Sequence, residues 1–255
     1  MTTPKPKDSA LKRFLLRSRT ATVSLRRLRT LSRGLKPIAH EPEFLALRNL
    51  TLSSDLAIDV GANNGQSITS IIAVRPEMNV VAIEPNPECY PELNLISKLR
   101  RGRVKIIQAG AGDHAGKLTF FVPRRNRRML LEEGTFDRTS LATSGSVKRN
   151  GVEGVDFEVV TMEIPVITID SLNLVPGVIK IDVQGFEMQA LRGMAETIRR
   201  HRPVILLELG HEHEQFAQFL EPFGYVERYW GAGTLIPTNL ADRFNVLFVT
   251  PDHLT

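Results

Sequence analysis

Four carboxylates stand where an α/β protein places its chemistry. Asp59 closes the apolar run 56–58, and Glu84 follows the run 80–83. Asp182 ends the run 178–181, and Glu208 lies within the run 204–209. Open α/β sheets bind ligands outside the carboxyl ends of their strands, so acids at those ends are candidate ligand and catalytic groups. A carboxylate there can accept both hydroxyls of a ribose, hold a cationic group, or take a proton from a reacting alcohol.

The elements that must position these acids follow from pattern. Residues 56–66 run from an apolar stretch into a turn holding Gly61 and Gly65. Ile68, Ile71, Ile72 and Val74 then recur at helical spacing. This reads as strand, tight loop, helix, which brings backbone N–H groups and a helix N-terminus close to a ligand. Glu84, about twenty residues on, sits where a ribose diol would be held. A dinucleotide fingerprint needs glycine at the first, third and sixth loop positions. Those positions hold Gly61, Asn63 and Gln66. The missing second glycine argues against a pyrophosphate, and so against a nicotinamide oxidoreductase. S-adenosylmethionine has no phosphate. Asp59 suits its cationic methionine end, and Glu84 suits its ribose. The other reading of the loop is an ordinary strand-to-helix turn capped by Asn63 or Asn64.

Asp182 belongs to a second stretch, 177–193, in which a buried strand turns at Gly185 into a helix with Glu187 in its first turn. Lys180 alternates with Ile179 and Ile181, so it points to one face and needs a partner there. The segment 204–209 leads into Gly210-His211-Glu212-His213. Asp182 is the first candidate for base or acceptor-orienting group, with Glu187, Glu208, His211 and His213 behind it. Alternatively Asp182 caps the helix after Gly185. Asp182, Glu208 and a histidine could also hold a divalent cation. None of the helix-spaced metal motifs is present, and no metal is assigned.

At 255 residues with 42% apolar content the chain suits one α/β domain with extensions. No apolar run reaches the length of a membrane span, and no secretory apolar core is present. The single cysteine, Cys89, excludes internal disulfides and fits a reducing, cytoplasmic setting. The net charge of +5 is unevenly spread. Residues 1–40 carry eleven Lys and Arg against Asp8, and the remainder carries twenty-two basic and twenty-seven acidic residues. The folded domain is therefore mildly acidic, which does not favour a nucleic-acid face on it.

The domain is expected over residues 41–255, preceded by a basic arm over 1–40. Within the arm, Leu11, Phe14, Leu15, Ala21, Leu25, Leu28, Leu31 and Leu35 approximate a helical stripe. Residues 10–35 read as a helix on an anionic membrane surface or acidic partner, as a solvated helix along the domain edge, or as a transit peptide. The segment 37–42 reads as a linker, and a short helix is expected over 43–50. Residues 123–157 carry Arg124, Arg125, Arg127, Arg128, Lys148 and Arg149 with little periodicity, which reads as a lid or mobile insertion. Strands are expected over 157–162 and 166–169, and an antiparallel pair over 225–230 and 245–250.

The chain resembles the FkbM family of S-adenosylmethionine-dependent methyltransferases. The likeness is carried by residues 59–66, by Ala82-Ile83-Glu84-Pro85-Asn86-Pro87, by Ala111-Gly112-Asp113 and by Thr139-Ser140-Leu141. Its most specific part is Ile179-Lys180-Ile181-Asp182-Val183-Gln184-Gly185-Phe186-Glu187, then Leu191-Arg192-Gly193. Residues 202–208 and 245–249 also fit. Gln184 departs from the family, which often has Glu there. The resemblance implies a Rossmann-like class I methyltransferase fold, mostly parallel with a C-terminal antiparallel pair. It also implies O-methylation of a hydroxyl on a sugar, glycan or secondary metabolite. The candidate cofactor-binding set is Asp59, Gly61, Asn63, Asn64, Gly65, Gln66, Glu84, Asn86 and Asp113. Asp113 could lie near the adenine edge or simply shape its turn. The competing class is a non-catalytic nucleoside-binding module that recruits partners through its basic arm.

Overall fold

A computed structural model of the chain describes residues 38–125, 128–131, 134–139, 141, 158–208, 213–237 and 245–255, together with 24, 27–32 and 35. Of the helical stripe expected over 10–35, residues 24, 27–32 and 35 are described and are helical, with Leu28 and Leu35 exposed. The rest of it, most of the 123–157 insertion and His211 lie outside the described residues.

The glycine-loop unit forms as expected: β1 (Leu56–Val60), α1 (Gln66–Val74), β2 (Asn79–Ile83). Then come α2 (Tyr90–Leu99), β3 (Val104–Ile107), β4 (Gly110–Ala111), β5 (Gly116–Arg125), β6 (Arg128–Met129) and β7 (Glu158–Ile167). The second half runs β8 (Val178–Ile181), α3 (Glu187–Arg192), α4 (Ala195–His201), β9 (Val204–Glu208) and α5 (His213–Leu220). β10 (Val226–Gly231), β11 (Thr234–Ile236) and β12 (Asn245–Val249) close the chain.

The main sheet has the order β11-β10-β12-β9-β8-β1-β2-β3. The five strands from β9 to β3 are parallel, and β12 and β10 add antiparallel. The expected fold class is correct. Strand alternation divides the core into two layers. Ala57, Val178 and Leu206 pack on one face with Ile68, Ile71 and Leu93. Ile58, Ile179 and Ile205 pack on the other with Leu191, Ile198 and Phe216. Among the described residues no helix is long and apolar enough to cross a membrane.

One local expectation needs correction. The segments 157–162 and 166–169 form one strand, β7, which pairs with β5 from Gly116↔Val166 to Arg124↔Glu158. β4 covers β7 only at Val166 and Ile167, so Pro165 sits beside an open edge where its missing N–H is tolerated. These strands make a second sheet, β4-β7-β5-β6. The short helix expected ahead of β1 forms as a 3-10 helix, Pro42–Asn49, with Pro at its start. It is no mere lead-in, since Phe44 and Leu47 are fully buried in the core. Arg75 on the far side of α1 donates to the carbonyls of Leu47 and Leu50, at 2.8 and 2.6 Å, and so closes the C-terminal end of this helix.

Candidate active site

The parallel strands deliver their ends to one cavity of about 430 Å³, a size common for small-molecule sites. On one side it is lined by the loop after β1, by Glu84 after β2, and by Ala109, Gly110 and Ala111. On the other it is lined by Lys180, Asp182, Val183, Gln184 and Glu208.

The loop after β1 is shaped by close approach. Gly61 has φ +81°, and a Cβ there would lie 1.8 Å from the Asp182 carbonyl oxygen, so only glycine lets β1 and β8 end side by side. Gly61 and Ala62 both donate backbone N–H to the Ile83 carbonyl, at 2.9 and 3.2 Å. Glu84 then clamps the loop. Its Oε2 accepts from Asn63 N at 2.6 Å, and its Oε1 accepts from Asn86 N at 2.7 Å. Burial pushes the Glu84 carboxyl up to about 7, although both backbone donors favour its ionised form. Each carboxylate oxygen keeps a second lone pair for a ligand hydroxyl. Asn64 Oδ1, buried in the cavity wall, has no hydrogen-bond partner among the described residues. With the apolar wall of Ile83, Pro85, Leu131 and Phe136, these groups fit a nucleoside carrying a polar end.

Asp59 does not line the cavity. It is fully buried, and its Oδ2 accepts from Ser67 Oγ of α1 at 2.5 Å. Burial raises its carboxyl despite the nearby Lys180 ammonium. The partner that Lys180 needed is Asp182, at 3.0 Å. Burial alone would lower the Lys180 ammonium, but Asp182 and Asp59 outweigh it and hold it above its ordinary value. In return Lys180 and the Gln184 amide hold the Asp182 carboxyl below the usual range, against the pull of burial. Glu208 moves the other way: burial and the charge of Asp182 push it up to about 8.

Of the remaining candidates, Gly61, Asn63, Asn64 and Gln66 line the cavity, and Gly65, Asn86, Asp113 and Glu187 do not. Gly65 turns toward α2, where a Cβ would lie 2.3 Å from Ile96. Asn86 Oδ1 accepts from Glu88 N and caps the turn Pro87–Cys89. Asp113 pairs with the exposed ring of His114 at 2.6 Å and shapes its turn. Glu187 bends back to accept from Val183 N and Gly185 N at 3.1 and 3.0 Å, holding the loop after β8. His213 pairs with Glu227 at 3.1 Å, away from the cavity. Among the described residues no three His, Cys, Asp or Glu side chains are grouped to hold a metal ion.

Several lining residues carried no sequence signal. His40 and Glu41 come from the segment read as a linker. His40 Nδ1 lies 2.6 Å from Ser70 Oγ, and Asn245 Nδ2 donates to Glu41 Oε2 at 3.1 Å. His40 in turn holds the Glu41 carboxyl below its ordinary value. Asn245 starts β12 opposite Glu208, which a strand pattern alone does not reveal. The second sheet supplies Phe120, and the segment after it supplies Leu131 and Phe136. Two described residues of that segment bond to both sides of the cavity: Asn63 Nδ2 donates to Leu131 O at 3.4 Å, and Thr135 Oγ1 donates to Gln184 O at 2.8 Å.

A sequence model described as Methyltransferase FkbM domain matches residues 59–229. The chain is 28% identical over 152 residues to the hexuronic acid methyltransferase AglP of Haloferax volcanii, covering 60% of this chain and 55% of that protein. Among solved structures, the methyltransferase FkbM of Methylobacillus flagellatus superposes with a TM-score of 0.50 at 19% identity, over 77% of this chain and 43% of that one. The chain thus spans about half the length of these relatives, and the structural likeness is one of fold.

Proposed function

The chain belongs to the FkbM methyltransferase family, with S-adenosylmethionine as cofactor, and on that premise we propose that it O-methylates a hydroxyl of a sugar or glycan. The observation that carries the reading is the shared cavity. The glycine loop and Glu84 open into the same space as Asp182 and Glu208, so a cofactor site and a proton-accepting group adjoin. The relative named for hexuronic acid supports an acidic sugar as acceptor.

S-adenosylmethionine, when bound, supplies an electrophilic methyl: the acceptor oxygen forms the O–C bond as the S–C pair returns to sulfur. In this reading Glu84 accepts the ribose hydroxyls, and the backbone from Gly61 to Gln66 packs along the cofactor. Ile83, Pro85 and Phe136 line the cavity as its apolar wall. Asp182 takes the acceptor's hydroxyl proton, which general bases do best when fixed within hydrogen-bond reach. Its low-lying carboxyl keeps it ionised and ready at neutral pH. Lys180 and Gln184 fix its orientation.

The test is transfer of a labelled methyl group from S-adenosylmethionine to a panel of hexuronic acid glycosides and neutral sugars. Mass spectrometry of the product would locate the methyl ether. Cofactor binding by calorimetry without transfer to any sugar would favour the nucleoside-binding module instead.

A further inference from the structure

Asp182 and Glu208 follow or end the adjacent parallel strands β8 and β9, and both face the cavity. Gln184 joins them. Its Nε2 donates to Asp182 Oδ1 at 2.7 Å and to Glu208 Oε2 at 3.1 Å. The backbone at Gln184 is left-handed, φ 54°, a conformation unfavourable for a residue with a side chain. Thr135 Oγ1 donates to the Gln184 carbonyl and holds that conformation. Such strain persists only where the surroundings over-determine it, and it clusters at functional sites.

We propose that Gln184 is a positioning residue for methyl transfer: its amide ties Asp182 and Glu208 into a pair that holds one proton, with Asp182 ionised and Glu208 protonated. The inference rests on the O-methyltransferase reading above. Two carboxyl groups bonded to the same amide nitrogen lie close enough to resist double ionisation. An amide with two N–H donors and no charge serves both without adding a third negative group.

The surroundings fix which partner carries the proton. Lys180 lies 3.0 Å from Asp182 and favours its charge, and Asp59 stands beside Lys180 across the β1–β8 ladder. Burial and the Asp182 charge disfavour charge on Glu208; Lys180 favours it by less, and Glu187, on α3, adds a smaller negative potential against it. On β12, Asn245 lies opposite Glu208 and bonds to Glu41, so no cation faces Glu208 from that side among the described residues. The upward push on Glu208 and the downward hold on Asp182 agree with this assignment. The pair presents one acceptor and one donor to a bound hydroxyl. The proton released as the O–C bond forms passes to Asp182, and the extra proton then leaves to solvent.

The test is a ¹³C NMR titration of the Asp and Glu carboxyl carbons in the full chain, with calorimetry of S-adenosylmethionine binding to check that each variant is folded. In the wild type, Glu208 is expected to titrate near 8 and Asp182 below the ordinary aspartate range. Asp182→Asn should lower the Glu208 midpoint by about one pH unit or more, since the neighbouring charge is gone. Gln184→Leu should raise both midpoints by about one unit, because each carboxylate loses an N–H donor. With a hexuronic acid glycoside as acceptor, the acid limb of the pH–rate profile should move up with Asp182 while KM for the cofactor holds. A wild-type Glu208 midpoint near 4.5 overturns the proposal even where Gln184→Leu does not fold. Unmoved midpoints in a folded Gln184→Leu overturn it too. Lack of transfer to every sugar would instead count against the methyltransferase reading, and the titration decides the pairing without it.

Discussion

Lys180 lies directly opposite Asp59 in the parallel β1–β8 ladder, and its ammonium reaches 3.0 Å to Asp182. One buried cation therefore serves two carboxylates, one behind the glycine loop and one in the cavity wall. Breaking a buried pair by removing one partner costs about 3–5 kcal/mol, because the other charge is left uncompensated. The Asp182 side chain is 34% exposed, so solvent screens part of this, and we expect Lys180→Met to lose about 1–3 kcal/mol in urea unfolding, with Asp182 titrating higher. A loss below roughly 1 kcal/mol, the worth of an exposed pair, would show that water reaches this cluster.

Glu84 clamps the loop backbone and keeps lone pairs for ligand hydroxyls, in our proposal those of the ribose. Hydrogen bonds to charged groups contribute about 1.5–3 kcal/mol, so Glu84→Ala should weaken S-adenosylmethionine binding roughly 10- to 150-fold. Calorimetry checks this; unchanged affinity in a folded variant removes Glu84 from the cofactor site.

Truncation separates the arm from the wall of the site. A chain starting at residue 38 keeps His40, Glu41, Phe44 and Leu47, and should fold and bind cofactor. A chain starting at residue 51 loses four buried core residues, Phe44, Ala46, Leu47 and Leu50. Phe→Ala and Leu→Ala changes in cores cost about 3–5 and 2–5 kcal/mol, so this shorter chain should be insoluble or unfolded. A well-folded 51–255 fragment with normal cofactor affinity would contradict the packing of the 3-10 helix.

Asp182→Asn tests the base. Asn keeps the shape and can still accept from Gln184, but it cannot take a proton. Loss of a general base typically costs about 10²–10⁴ in rate. We expect near-normal S-adenosylmethionine affinity with turnover reduced by that factor. Activity within a few-fold of wild type would leave Asp182 as the ion-pair partner of Lys180 and end its role as base.

Stability should fall as pH rises. Glu208 moves from an ordinary 4.5 to about 8 on folding, so the native state binds more protons than the unfolded chain between those values. Its contribution is complete below about 4.5 and is lost as pH rises through 8. Glu84, raised to about 7, acts with the same sign. Glu208→Gln should therefore flatten the decline in melting temperature between pH 5 and 8, by on the order of 1–2 kcal/mol at the upper end. An equal decline in wild type and variant would place the titration elsewhere.

The sequence by itself determined the strand-loop-helix unit at 56–74, the second acid-tipped strand and the 178–187 turn. Each is written in local periodicity and in glycine positions, which depend only on neighbouring residues. It also placed Asp182 and Glu208 at strand ends. Only the tertiary structure decided which acids face the cavity and which are ionised. Glu187 looked equivalent to Glu208 along the chain, yet it bends back onto Val183 and Gly185. Asp59 looked like a ligand group, yet it is buried behind Ser67. His40 and Glu41 entered the wall through contacts with Ser70 and Asn245, 30 and 204 residues away. The physical reason is that backbone conformation is set largely by local pattern, whereas protonation and ligand access are set by burial and by charges that only the folded chain brings together.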